Sequence, residues 1–196
     1  SINTHCRELV DNMADFGHFG PVHRSPVKRF SNIVDGHTYT QELYGSSARL
    51  GGDSELFSRA CYYGPAYMVT FMSGSLAGMD VNSRLLVSHV PIDMESFDLR
   101  FGVMVKKQAG LTDAENQAMA DEYVRLSQEA FFEDVHIWHN KKRVDNPLLC
   151  NGDGPVNILR KWYQQFYTDV TEINNDAFAR KEYVLTPKGY QHLMLD

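Results

Sequence analysis

His18 and His23 stand five positions apart, and an acid, Asp15, lies three positions before the first. Two neutral imidazoles on one short segment make half of a metal site, and a nearby carboxylate can orient one ring through its other nitrogen. If the third ligand is a carboxylate and coordination positions stay open, the donor set is that of an oxygen-activating non-haem iron centre. The same three donors can also hold zinc and activate water for hydrolysis. Residue types alone therefore leave the metal open.

The spacing carries geometric content. Residues five apart on a straight helix point about 140° away from each other, so His18 and His23 cannot share an ion from one unbroken helix. The chain interrupts itself with Gly17, Gly20 and Pro21. Pro21 lacks an amide proton and disfavours the helical conformation at Gly20. Upstream, Cys6, Leu9, Val10, Met13 and Phe16 recur at three- and four-residue spacing, which predicts an amphipathic helix from about Thr4 to Phe16. A turn must then swing His23 back towards His18.

The third ligand has to come from far along the chain. Thr112 and Glu115 form a capping-box signature that opens a long helical stretch, 112–138. Ala120, Val124, Phe131, Val135 and Trp138 mark its apolar stripe, and Asp134 falls inside it. A carboxylate on an apolar face is costly unless it is paired or bound to a metal. His18, His23 and Asp134 then make a two-histidine, one-carboxylate triad. Each has a plainer role as well. A histidine near a helix end is commonly just hydrogen-bonded, Asp134 can pair with Lys141, Lys142 or Arg143, and Asp15 can satisfy backbone groups.

The run Asn12, Asp15, His18, His23 resembles the mononuclear iron motif N-x-x-D-x-x-H-x4-H of Rieske non-haem iron oxygenases, with every spacing matched. More specifically, the chain resembles the catalytic domain of the 3-ketosteroid 9α-hydroxylase oxygenase component. The stretches NTHCRELVDNMADFGHF, VDGHTYTQ, YYGPAYMV, EDVHIWHNKKRVDNPLL and DGPVNILRKWYQQFYTDV carry the likeness, in order, over most of the chain. The last two are long and specific. The resemblance implies mononuclear Fe(II) held by His18, His23 and Asp134. It implies that Asp15, with Asn12 beside it, bridges electron transfer from a neighbouring subunit. It further implies hydroxylation of a steroid-like apolar substrate with O2, a ferredoxin or flavin reductase as partner, and a homotrimer when full length. Gly20-Pro21 stands where the family carries bulkier residues.

A Rieske [2Fe-2S] cluster needs C-x-H and C-x2-H pairs, and Cys6, Cys61 and Cys150 fall in neither pattern. The cluster is therefore expected in a domain outside these residues, with 1–196 forming a single catalytic domain that is inactive in turnover without it. Three unpatterned cysteines suggest a reducing cytoplasm rather than a disulfide framework. The net charge of -6 and the lack of a basic stripe argue against nucleic acid. No apolar run approaches the ~18 residues of a membrane span.

The middle of the chain reads as a sheet. Val34 to Leu43 alternates loosely, 45–53 reads as a loop, and strands are predicted at 58–63, 66–73, 82–90 and 96–105. A second helix opens at Gly154-Pro155 with Leu159, Trp162, Phe166 and Val170 as its stripe, and 176–186 adds an edge strand. The predicted fold is α+β, a helix-grip arrangement of a curved antiparallel sheet packed against long helices. Such a sheet encloses an apolar cavity, with Tyr63, Tyr67, Phe71, Phe131 and Trp138 as candidate substrate contacts. His37 and His89 lack partnered spacing and are assigned structural roles. The second reading is a helix-grip protein that binds an apolar ligand without catalysis.

Overall fold

The structure is a computed structural model that describes residues 1–47, 55–76, 78–150, 152–186 and 189–193. Its elements in chain order are helix α1 (Arg7–Asp11), strands β1 (Val27–Asp35), β2 (Thr38–Ser46), β3 (Glu55–Tyr63), β4 (Tyr67–Leu76), β5 (Met79–Pro91) and β6 (Phe97–Val105), helices α2 (Asp113–Trp138) and α3 (Val156–Gln164), and strands β7 (Lys181–Thr186) and β8 (Gly189–Leu193). The strands form one antiparallel sheet in the order β6-β5-β4-β3-β2-β1-β7-β8. Sequential hairpins build it from β1 to β6, as short connections between alternating segments require.

Several predicted boundaries move. The loosely alternating run 34–43 is split by a two-residue turn, Gly36-His37, with Asp35 paired to Thr38. Gly36 takes φ 56, the left-handed region that glycine enters without penalty. The predicted 45–53 loop begins inside β2, which runs on to Ser46, and 48–54 lie outside the described residues. Strands β4 and β5 continue past the predicted Gly74 turn because their ladder persists through Gly74↔Val81 to Leu76↔Met79. The predicted edge strand at 176–186 is β7 preceded by a 3-10 turn, and it is interior, flanked by β1 and β8.

Helix α1 is shorter than its apolar periodicity suggests. Beyond Asp11 the backbone tightens into turns, Met13 N–H to Val10 and Ala14 N–H to Asp11. The Met13 carbonyl is taken by two sheet side chains, Asn32 Nδ2 at 2.6 Å and Gln41 Nε2 at 3.1 Å. The helix stops where the sheet supplies better partners than the next turn would.

Helix α2 starts as predicted: Thr112 Oγ1 accepts from the Glu115 amide and the Glu115 carboxylate accepts from the Thr112 amide. Its inward stripe uses Met119, Tyr123 and Trp138, while Val124 is 36% exposed. In α3, Leu159 and Trp162 are fully buried. Val170 is exposed, because α3 ends at Gln164 and 3-10 turns redirect the chain. Trp162 packs on Tyr39, and its indole N–H donates to the Gly36 carbonyl, seating α3 on the first hairpin. Among the described residues no helix is long and apolar enough to cross a membrane.

Candidate metal centre

The chain between α1 and β1 forms a compact knot. The Val22 amide bonds the His18 carbonyl, Arg24 the Gly20 carbonyl and Ser25 the Phe19 carbonyl. Arg24 sits at φ 52, an uncommon conformation for a non-glycine residue, in the turn that returns the chain after His23. Phe19 packs against His18 and, with Phe16, against Phe30 of β1, so the knot is seated on the sheet. The result is the return that the spacing demanded: the two imidazole centroids lie 5.1 Å apart and nearly perpendicular.

Asp134 of α2 completes a cluster. His18, His23 and Asp134 each offer a ligand atom, and these atoms all lie within 4.8 Å of one another. The His23 Nε2 is 3.3 Å from the Asp134 Oδ2, and each of the three side chains is exposed by less than 15%. Lys141 and Arg143 do not reach Asp134. They pair instead with Glu8, a fully buried acid of α1, at 2.8 and 3.3 Å.

Each ring is held by its other nitrogen. His18 Nδ1 donates to the Asp15 carbonyl oxygen at 2.7 Å, whereas the Asp15 carboxylate is 3.7 Å away and half-exposed. The shorter contact is the hydrogen bond, so Asp15 orients His18 chiefly through its backbone. Burial pushes the Asp15 carboxyl up, but the facing His18 ring outweighs it and holds the carboxyl below its ordinary pKa. His23 Nδ1 faces the Glu133 carboxylate at 3.4 Å. Burial lowers the His23 pKa, and the two carboxylates of Asp134 and Glu133 more than reverse that, leaving it raised.

The cluster opens on a cavity of about 240 Å³ between the sheet and α2. Phe131 and Trp138 line it, as do Asn12 and the three clustered residues. Phe131 stacks on Phe101 of β6 and meets Trp138 edge-on, which fixes that wall. Tyr63, Tyr67 and Phe71 do not line it; they are 53%, 46% and 36% exposed on the opposite face. Successive strand residues alternate faces, so the inward set is Ala60 and Tyr62 on β3 and Met68, Thr70 and Met72 on β4. Tyr62 stands among the aromatic residues of the sheet segment, but the predicted contacts took Tyr63 in its place. Only the strand parity, one position off, could have pointed to it. Its hydroxyl is buried with no hydrogen-bond partner among the described residues, and burial raises its pKa. His89 is likewise buried, its ring between Tyr62 and Phe97.

Comparison with known proteins converges on one family. The family model of the 3-ketosteroid 9alpha-hydroxylase C-terminal domain matches residues 1–167. A 3-ketosteroid-9-alpha-monooxygenase oxygenase component of Rhodococcus rhodochrous is 39% identical over 92% of this chain and 48% of its own length. That of Mycolicibacterium smegmatis is 38% identical over 91% and 49%. The chain thus spans about half the length of the curated relatives it matches. Among solved structures, dicamba monooxygenase bound to 3,6-dichlorosalicylic acid superposes with a TM-score of 0.62 at 16% identity, over 84% of this chain and 56% of that one. At that identity the likeness concerns the fold alone. Over the residues that the family model spans, the chain belongs to the 3-ketosteroid 9alpha-hydroxylase C-terminal domain family.

Proposed function

We propose that residues 1–196 form one catalytic domain of helix-grip type in which His18, His23 and Asp134 hold a mononuclear Fe(II) for O2-dependent hydroxylation of a steroid-like apolar substrate. The observation that carries the reading is the convergence of these three side chains, from two distant segments, on the wall of an apolar cavity. The donor set fits iron: two imidazoles and one carboxylate leave open positions. When bound, the metal would supply the activation of dioxygen.

The protein's own groups do the rest. Donation from His18 Nδ1 to the Asp15 carbonyl leaves Nε2 free to ligate. Phe131, Trp138 and Met68 exclude water and shape the cavity for a rigid ring system, and the Tyr62 hydroxyl offers a polar contact inside it. The half-exposed Asp15 carboxylate, beside His18 and near Asn12, is the proposed point of electron entry. The donor would be a Rieske [2Fe-2S] cluster carried outside this chain, supplied in turn by a ferredoxin or flavin reductase, in a trimeric assembly. The steroid substrate rests on the names of the relatives.

Anaerobic Fe(II) titration tests the centre. One tight equivalent is expected for the parent chain and none for Asp134→Ala or His18→Ala. Equal binding by all three would end the ligand assignment.

A further inference from the structure

Two consecutive residues of α2 face the two nitrogens of one ring. His23 Nε2 lies 3.3 Å from Asp134 Oδ2, and His23 Nδ1 lies 3.4 Å from Glu133 Oε2. A neutral imidazole has one N–H and one lone pair. With a cation at Nε2, the proton must sit on Nδ1 and point at Glu133. His18 reaches the same tautomer by another route, donating its Nδ1–H to a main-chain oxygen, that of Asp15, at 2.7 Å. One ring is thus set by backbone, which no substitution removes, and the other by a side chain.

The two acids of α2 differ in what they touch. Asp134 is 13% exposed and lines the cavity. Glu133 is 34% exposed, lies outside the cavity lining, and approaches the ring from its far side. A carboxylate placed behind a ligating histidine fixes ring orientation and makes the ligating nitrogen a better donor. We infer that Glu133 is a positioning residue of the metal centre, accepting the His23 Nδ1–H and so presenting Nε2 to the ion without itself ligating. This rests on the metal-centre reading above and extends it to a residue outside the triad.

The test uses the full chain with Co(II) and Zn(II) as probes, comparing the parent with Glu133→Ala, Glu133→Gln and Asp134→Ala. Competition with a chelator is expected to show Glu133→Ala weakened about 10–100-fold while Asp134→Ala loses the site. Thermal melts of the metal-free chains report what each variant costs the fold, so that affinities are compared between chains that are folded at the assay temperature. In the Zn(II) form, nitrogen-15 shifts should show the His23 proton on Nδ1 in the parent. Glu133→Gln, whose amide oxygen can still accept that N–H but carries no charge, should keep the same shifts and lose less affinity than Glu133→Ala. Parent-like affinity in Glu133→Ala would overturn the inference while leaving the triad intact. Loss of the ion in Glu133→Ala as complete as in Asp134→Ala would make Glu133 a ligand and overturn it differently. Failure of the parent to bind either ion would remove the metal centre itself, and the inference with it.

Discussion

The Asn32 amide nitrogen lies 2.6 Å from the Met13 carbonyl oxygen, with Asn32 wholly shielded from solvent. This bond fastens the turn that leads to His18 onto the first strand of the sheet. Gln41 reaches the same oxygen at 3.1 Å, so the carbonyl keeps one partner when Asn32 is replaced. Asn32→Leu is expected to cost about 1–3 kcal/mol. For a chain of this size that lowers the melting temperature by roughly 2–4 °C per kcal/mol. Asn32→Asp should cost more, since it sets a carboxylate against a carbonyl. Melting curves for both variants that overlay the parent would show that the turn is held by something else.

Gly154 sits at φ 82, and a Cβ there would overlap the Ala14 carbonyl oxygen, one residue before Asp15. Gly154→Ala therefore combines backbone strain of about 1–2 kcal/mol with a collision that must push the segment leading to His18. It should destabilise the chain by more than 2 kcal/mol in all, in the range of large single-site effects. Gly152→Ala is the control, for its nearest contact is the Cys150 sulfur at 3.8 Å. Urea denaturation separates the two, and equal midpoints would refute the close approach.

His89 gives the fold an acid-side weakness. It is 2% exposed, neither ring nitrogen has a hydrogen-bond partner among the described residues, and burial lowers its pKa to about 4. The unfolded chain takes up this proton near the ordinary value of 6.5, the folded chain only near 4. Stability from this residue is therefore full above pH 6.5 and declines as pH falls from 6.5 to 4, by on the order of 3 kcal/mol. His89→Phe should flatten the stability curve over that window. An unchanged slope between pH 7 and 4.5 would assign the acid sensitivity to other groups.

Tyr62→Phe removes a buried hydroxyl that has no hydrogen-bond partner among the described residues, so the variant should be as stable as the parent or more stable, by up to about 1 kcal/mol. Tyr63→Phe, at an exposed position, should stay within about 0.5 kcal/mol. If the cavity holds a ligand with a polar group, only the Tyr62 variant should weaken its binding. Calorimetry with a ketosteroid probe reads this directly, and an effect confined to Tyr63 would reverse the assignment of faces.

What could be read from the residues was chemistry tied to local spacing. The Asn12–Asp15–His18–His23 pattern encodes its own return turn through Gly20 and Pro21, and the Thr112–Glu115 box opens α2 where it stands in the structure. What could not be read was anything that depends on a partner segment. The inward parity of β3 is set by its register with β2 and β4, so Tyr63 was chosen where Tyr62 faces the cavity. The early end of α1 is decided by Asn32 and Gln41, far along the chain, competing for one carbonyl. Val124 looked like core by periodicity, yet the sheet meets α2 at Tyr123, whose hydroxyl bonds Ser83.

The two halves of the cluster come from remote parts of the chain, His23 just before β1 and Asp134 near the end of α2. An ion held between them, as proposed, would therefore also be a clasp that closes a very long loop. Closing such a loop in the unfolded chain is entropically costly, by an amount that grows with the logarithm of its length. The folded state has already met that cost, so it alone binds the ion well. Stability should then rise with the free concentration of metal, as for any ligand that prefers the native state. If the proposed centre holds iron, cells short of it would hold this protein as a looser molecule, more open to proteolysis.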